Sequence, residues 1–161
     1  MNNFNQLNLS GDSLKILKGL KFENPTPIQE KVIPVALQGN DVMGTAQTGS
    51  GKTLSYILPI VEKLRINVND KFLILTPTRE LAEQVFSVAK IFLGHGKPFK
   101  AINLIGGKGI FSQINQLKKN PQIIIGTPGR INDLLERKSL GLSKCSVVVL
   151  DEMDRMLDMG F

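Results

Sequence analysis

The strongest constraint on this chain is a glycine-rich segment, residues 46–53, which reads Ala-Gln-Thr-Gly-Ser-Gly-Lys-Thr. The apolar run 42–46 leads into it and an apolar-periodic segment begins at Leu54, so the pattern predicts a strand, a loop and a helix. The two glycines let backbone N–H groups curl around a phosphate, and the amino end of the helix adds its positive dipole. Lys52 would reach the β- and γ-phosphates, while the Thr53 hydroxyl would ligate Mg²⁺. The segment predicts a nucleoside triphosphate site; the alternative is an ordinary glycine-rich turn.

A second nucleotide signature follows a later apolar run. The run 146–150 ends in Asp151 and Glu152. A carboxylate at the carboxyl end of a parallel strand lies in the ligand crevice of such folds, where it can hold Mg²⁺. The neighbouring Glu152 would orient and deprotonate an attacking water. A polar helix start, in which acids are favoured, is the alternative interpretation.

The composition indicates a globular domain and is compatible with an anionic partner. With 161 residues and 42% hydrophobic content, the chain can bury one domain-sized core. Its net charge of +6 favours an anionic partner, although charge alone does not decide this. The single Cys145 cannot form an internal disulfide, and no secretory signal or membrane span is recognisable, so we expect a soluble, cytoplasmic protein. Cys145 is expected in the core, and His95, between two glycines, in a surface turn.

Alternating apolar and helical patterns predict an α/β fold. Segments with helical apolar spacing separate five apolar, β-branched runs, so we expect a parallel sheet with helices on both faces. Two further helices, 14–20 and 28–37, precede the glycine-rich loop. The second begins with Thr26 as N-cap, Pro27 at the first helical position and Gln29 completing a capping box. The five predicted strands are 42–46, 72–76, 101–105, 122–126 and 146–150.

Six ordered motifs carry a family resemblance that covers essentially the whole chain. They are Phe22–Gln29, Ala46–Thr53, Pro77–Ala82, Gly106–Gly107, Thr127–Arg130 and Asp151–Asp154. In this order they resemble the N-terminal RecA-like domain of the DEAD-box ATP-dependent RNA helicases of superfamily 2. Ala46 fits that family's own A-x-T-G-x-G-K-T form. Two positions depart from the family: Met153 replaces the usual alanine of the box, and Lys21 stands where a glycine usually precedes the aromatic residue.

The resemblance implies a RecA-like P-loop NTPase fold, with ATP and Mg²⁺ as cofactors and RNA as partner. It implies catalytic roles for Lys52 and Glu152, and Mg²⁺ ligation, partly through water, by Thr53 and Asp151. Asp154 would couple to a Ser-Ala-Thr motif. ATP-binding residues would be Phe22, Gln29, Ala46, Gln47, Thr48, Gly49, Ser50, Gly51, Lys52 and Thr53. Sequence-independent RNA contacts would come from Pro77, Thr78, Arg79, Gly106, Gly107, Thr127, Pro128, Gly129 and Arg130.

Some of these residues also have purely structural interpretations. The Gln29 amide suits the N6/N7 edge of adenine, but it also completes the capping box. Thr78 and Thr127 would grip sugar-phosphate or simply cap helices. Arg130 would contact phosphate or pair with an acid such as Glu80.

The domain prediction is a Q-motif segment at 1–31 and a helicase ATP-binding domain at 32–161, incomplete at its carboxyl end. The resemblance implies a following Ser-Ala-Thr motif and a second RecA-like domain that supplies further RNA contacts and an arginine finger. We therefore expect an RNA helicase in the parent protein and little unwinding by this chain. The alternatives are a non-catalytic ATP- and RNA-binding remnant and a DNA-directed member of the superfamily.

Overall fold

A computed structural model describes residues 3–94 and 98–161, which leaves His95 outside the described part. The chain divides into two compact units, Met1–Ile66 and Asn67–Phe161, which are considered in turn. In the described residues, no helix combines the length and the apolar character that a bilayer crossing requires.

The first unit is helical. A short 3₁₀ helix, Phe4–Gln6, is followed by α1 (Gly11–Gly19), α2 (Pro27–Leu37) and α3 (Lys52–Ile66). Both helices predicted ahead of the glycine-rich loop are therefore confirmed. The start of α2 follows the sequence prediction: Thr26 is the N-cap, and its N–H donates to Gln29 Oε1 at 2.9 Å.

The strand predicted at 42–46 is wrong. Residues 42–45 have no regular secondary structure and are exposed to solvent, with Met43 88% exposed, and they are not among the four strands of the sheet. A strand is stabilised by a hydrogen-bonded neighbour and by burial of its apolar face. The described residues supply this run with neither, so its apolar character alone does not produce a strand.

The second unit contains a four-stranded, fully parallel sheet of order β2-β3-β1-β4. The strands are β1 (Lys71–Leu75), β2 (Ala101–Leu104), β3 (Ile123–Gly126) and β4 (Cys145–Leu150). Each lies within one residue of a predicted run. An irregularity in the β1–β4 register between Lys71 and Phe72 leaves Ser146 unpaired.

Four helices connect or follow the strands: α4 (Arg79–Leu93), α5 (Ile110–Leu117), α6 (Pro128–Glu136) and α7 (Met153–Asp158). The step from β1 to β2 runs in one direction across the sheet, and the steps to β3 and β4 run in the other. Right-handed crossovers therefore place α4 on the face opposite α5 and α6, as expected for an α/β fold. Leu73, Ile102 and Ile124 pack with α6 residues Ile131 and Leu134 in one buried cluster.

The parallel topology brings four of the six predicted motifs to one edge of this sheet. The segments beginning at Pro77, Gly106, Thr127 and Asp151 each follow a strand, so all four leave from carboxyl ends. β4 forms an outer strand, and its Val148 and Leu150 side chains are 54% and 48% exposed.

Candidate functional site

The glycine-rich loop has the backbone shape that a phosphate cradle requires. Gly49 and Gly51 have φ angles of 82° and 88°, in the left-handed region that glycine enters without strain. The helix α3 begins at Lys52, directly after the second glycine. The Lys52 ammonium donates to the Ala46 carbonyl at 2.6 Å. A phosphate would compete with that carbonyl for the same charged donor.

Gln29 links the start of α2 to this loop. It is only 3% exposed, its Oε1 accepts from Thr26 N–H, and its Nε2 donates to the Gly51 carbonyl at 3.1 Å. A β-carbon at position 51 would collide with that Nε2. The structural interpretation of Gln29 is therefore realised, and glycine is needed at 51 for packing as well as for its φ angle.

Phe22 lies four residues before the N-cap of α2 in the sequence and is 47% exposed. Its backbone is fixed at the end of α1: Lys21 N–H donates to Lys18 O at 3.0 Å, and Phe22 N–H donates to Leu17 O at 2.9 Å. This is a Schellman motif, in which the residue at Lys21 must be left-handed, and its φ is 61°. The family's preference for glycine at this position follows from that geometry.

The loop residues fit a magnesium-bound nucleotide. The Ser50 hydroxyl is buried and finds no hydrogen-bond partner among the described residues. An unpartnered donor beside a lysine and two left-handed glycines suits an anionic oxygen. No three His, Cys, Asp or Glu side chains of the described ranges form a metal-binding group. Magnesium commonly uses one or two protein oxygens together with phosphates, and the Thr53 hydroxyl, in the first turn of α3, could supply one of them.

The acidic box begins directly after β4. Asp151 is 8% exposed, and its N–H donates to the Leu75 carbonyl at 3.0 Å, which continues the β1–β4 pairing. Glu152 has φ 51° and ψ 49°, a left-handed conformation that is uncommon for a residue with a side chain. Its Oε2 lies 3.4 Å from Arg155 Nη1. Met153, the departure from the family, is 41% exposed, and Asp154 is exposed.

Three of the predicted RNA motifs meet in one open pocket of about 530 Å³ in the second unit. Among the residues predicted to contact RNA, only Gly107 and Pro128 are absent from its lining. The lining residues are Pro77, Thr78, Arg79, Glu80, Gly106, Thr127, Gly129, Arg130, Met159 and Phe161. We call this pocket the groove.

The two threonines of the groove differ. The Thr78 hydroxyl accepts from Leu81 N–H at 3.2 Å and so caps α4, as its structural interpretation proposes. Thr127 is the N-cap of α6, but its side chain makes no capping hydrogen bond. Capping therefore explains Thr78 and leaves the Thr127 side chain unexplained.

Arg79 lies against the Gly106–Gly107 pair. A β-carbon on Gly106 would come within 3.1 Å of Arg79 Nη2, and one on Gly107 within 2.9 Å of Nη1. The two glycines thus provide a flat surface beneath the guanidinium. The family resemblance implies RNA contacts for these glycines; in the structure they accommodate an arginine that lines the groove.

Arg130 is held by partners that the sequence did not predict. Its Nη1 donates to Gln113 Oε1 at 2.9 Å and to the Lys108 carbonyl at 3.2 Å, and its Nε lies 3.9 Å from Asp133. The ion pair considered at sequence level, with Glu80, is not among its contacts. The Arg130 side chain is only 13% exposed, so its main contacts are with protein groups at the edge of the groove.

Gln113, which sequence reasoning missed, stands at the centre of this arrangement. It is 2% exposed, and its Nε2 donates to the Ile105 carbonyl at 2.9 Å. The available signal was positional: in α5, residues 110, 113, 114 and 117 form one helical stripe, and 113 alone is polar.

Comparisons with known proteins agree with the geometry. A sequence model described as DEAD/DEAH box helicase matches residues 26–161. The chain is 45% identical to the DEAD-box ATP-dependent RNA helicase CshA of Bacillus subtilis, covering 98% of this chain and 32% of that protein. It is 47% identical to CshA of Geobacillus kaustophilus, covering 100% and 34%. The chain therefore spans about a third of the length of these curated relatives.

Solved structures give the same result. A crystal structure of a DEAD box protein from the hyperthermophile Methanococcus jannaschii matches with a TM-score of 0.91 and 45% identity, over 98% of this chain and 43% of that one. A hypothetical ATP-dependent RNA helicase from Sulfolobus tokodaii matches with a TM-score of 0.86 and 37% identity, over 95% and 44%. With the ordered motifs, the glycine-rich loop and the groove, these matches place the chain in the DEAD/DEAH box helicase family.

Proposed function

We propose that this chain is the ATP-binding part of an ATP-dependent RNA helicase, which couples RNA-stimulated ATP hydrolysis to local unwinding of RNA duplexes. The observation that carries the proposal is the groove, where three motifs separated in sequence converge at the carboxyl ends of parallel strands. Family membership and the names of the similar proteins supply the reaction class.

At the nucleotide, each residue has a proposed task. Mg-ATP would supply the transferable phosphoryl group and the divalent charge. Lys52 would leave the Ala46 carbonyl for the phosphates, while loop N–H groups and the Ser50 hydroxyl hold the remaining oxygens. Thr53 and Asp151 would hold the metal, in part through water. Glu152 would orient the attacking water and accept its proton.

The adenine site is proposed at Phe22 and Gln29. The exposed Phe22 ring can stack on a base. Each end of the Gln29 amide makes one hydrogen bond and has one further site, a second lone pair on Oε1 and a second hydrogen on Nε2. Adenine recognition would use these remaining sites. Base readout would then be coupled to the position of Gly51 in the phosphate loop.

The groove is proposed to bind the sugar-phosphate backbone of RNA. The Arg79 guanidinium can donate two hydrogen bonds to one phosphate, and the Thr127 hydroxyl can donate another. Gly129, which has no side chain, leaves the backbone N–H groups near the start of α6 accessible. Such contacts carry no base information, so binding would be independent of sequence and would weaken as salt is raised.

We also propose the domain assignment of a Q-motif segment at 1–31 and an ATP-binding domain at 32–161. A second RecA-like domain would complete the catalytic site, and Asp154 would couple the box to a Ser-Ala-Thr motif. The free Cys145 is compatible with a reducing compartment, and we propose the cytoplasm.

Steady-state ATP hydrolysis by this chain, with and without single-stranded RNA, tests the proposal. We expect weak hydrolysis that RNA stimulates and that Lys52→Ala and Glu152→Gln abolish, with little or no duplex unwinding. Hydrolysis no higher than in Glu152→Gln, together with measurable nucleotide and RNA binding, would instead establish a non-catalytic remnant. Competition between RNA and DNA strands of equal sequence decides whether the partner is RNA.

A further inference from the structure

We propose that Gln113 is a positioning residue of the groove: it fixes the glycine loop on which Arg79 rests and so sets that guanidinium for RNA phosphate. This inference rests on the proposed RNA-binding function of the groove. Gln113 itself is 2% exposed and does not line the pocket, so its effect on RNA must pass through other residues.

The loop between β2 and α5 is held on both sides of its glycine pair. Before the pair, the Ile105 carbonyl accepts from Gln113 Nε2 at 2.9 Å. After it, the Lys108 carbonyl accepts from Arg130 Nη1 at 3.2 Å. The same Arg130 nitrogen donates to Gln113 Oε1 at 2.9 Å, which joins the two attachments through one amide.

This arrangement requires both ends of the Gln113 side chain. The amide nitrogen donates to the Ile105 carbonyl of the loop, and the amide oxygen accepts from Arg130. Neither a purely apolar side chain nor one that only accepts hydrogen bonds can make both contacts. Removing the amide would leave the Ile105 carbonyl unpaired in a buried environment and would free one hydrogen of Arg130. The loop would then lose the attachment that fixes Gly106 relative to α5.

Arg79 is the residue through which a displaced loop would affect RNA. Its guanidinium packs on Gly106 and Gly107 closely enough that a single β-carbon would intrude on it. A guanidinium binds phosphate more tightly when its orientation is already fixed, because less side-chain freedom is lost on binding. Gln113 therefore acts at a distance, by way of the glycine pair, on the one arginine of the groove whose side chain is exposed.

The test is a double-mutant cycle on RNA affinity in the full 161-residue chain, with a fluorescein-labelled oligouridylate as probe. Gln113→Leu should weaken binding about five- to tenfold in the otherwise unchanged chain, and by less than about twofold when Arg79 is already alanine. The salt dependence of binding should fall by about one phosphate contact in Gln113→Leu. Gln116→Leu, the same change at an exposed site in α5, is the matched control and should bind like the unchanged chain.

A second variant reaches the same contact without disturbing the buried amide. Gly106→Ala introduces no backbone strain, since only Gly107 of the pair has a positive φ, and it pushes directly on Arg79. It should also weaken RNA binding only when Arg79 is present. If thermal melting shows that Gln113→Leu does not fold, Gly106→Ala still tests the step on which the inference depends: RNA binding left unchanged by Gly106→Ala would overturn the positioning of Arg79 by the glycine pair.

The outcomes separate this inference from the proposed function. Absence of oligouridylate binding by the unchanged chain would overturn RNA binding by the groove itself. RNA binding that Gln113→Leu leaves equal to Gln116→Leu would overturn only the role of Gln113. Losses that add fully with Arg79→Ala would also overturn it, because they would show an effect that bypasses Arg79.

Discussion

At the scale of single residues, two of the five non-glycine residues with positive φ in the described ranges lie at or beside a predicted motif. Lys21 and Glu152 both adopt left-handed conformations, which cost a residue with a β-carbon roughly 1 kcal/mol. At Lys21 the cause is the Schellman motif that ends α1 and sets the backbone of Phe22. At Glu152 the chain turns between the end of β4 and the start of α7. Glycine at position 21 would relieve the strain there without changing a proposed catalytic residue. Glu152, in contrast, lies in the proposed catalytic box.

We expect Lys21→Gly to raise the free energy of unfolding by about 0.5–1 kcal/mol, because glycine removes the left-handed strain and its extra unfolded-state entropy cancels only part of the gain. Urea denaturation followed by circular dichroism measures this. Lys18→Gly, one turn earlier inside α1, is the control and should lower stability by about 1 kcal/mol. A loss of stability in Lys21→Gly would contradict the strain assigned to this position.

The strands of the sheet differ in how many neighbouring strands they pair with. β3 is flanked by β2 and β1, whereas β4 pairs only with β1 within the described residues. The alternating burial of β4 leaves Val148 and Leu150 facing solvent beside an unpaired strand edge. Exposed apolar edge strands favour pairing with another chain.

Val148→Lys should therefore reduce self-association of this chain, because a charge on an edge strand opposes edge-to-edge pairing. Light scattering against protein concentration measures the effect. Val68→Lys, at an exposed valine outside the sheet, is the matched control and should leave self-association unchanged. Equal reductions in both variants would mean that net charge, and not the β4 edge, governs association.

The amino end of the sheet depends on Lys71 in β1. Its ammonium donates at 2.6 Å both to Asn120 Oδ1 and to the Pro121 carbonyl, just before β3 begins. Burial, with a further contribution from the charge of Lys144, lowers the pKa of Lys71 below its ordinary 10.5. Between the two pKa values the unfolded chain binds more protons than the folded one, so this group makes stability rise with pH as the pH approaches 10.5.

Replacing Lys71 with methionine should lower stability at neutral pH by about 1 kcal/mol, since both hydrogen bonds are lost. It should also remove the rise in stability that Lys71 contributes at alkaline pH. Denaturation at a series of pH values, compared with Lys100→Met, isolates this contribution from those of the other lysines. The same alkaline dependence in both variants would contradict a lowered pKa at Lys71.

For the whole molecule, sequence reasoning succeeded where the determining interactions are local or periodic. The cap at Thr26, the glycine loop and four strands follow from neighbouring residues, and the groove follows from parallel strands that end at one edge. It failed where a partner lies far along the chain. The run 42–46 has strand composition but lacks a paired neighbour, and Arg130 pairs with Gln113 and the Lys108 carbonyl, which no local pattern identifies.

Nucleotide binding is a property that can be measured on the chain as a whole, through its effect on stability. A ligand that binds only the folded state raises its stability, by about 2.7 kcal/mol at a hundredfold excess over Kd, which is roughly 5–10 °C in Tm for a chain of this size. We expect Mg-ADP to raise the Tm of this chain by an amount in that range.

Lys52→Ala should remove most of that shift, because the ammonium now bonded to the Ala46 carbonyl would no longer be available to the phosphates. Lys63→Ala, in the last turn of the same helix α3, is the matched control and should keep the full shift. Differential scanning calorimetry with and without Mg-ADP provides the measurement for all three chains. A shift that survives in Lys52→Ala would place nucleotide binding outside the glycine-rich loop. Absence of a shift in the unchanged chain would mean that this chain alone does not hold the nucleotide.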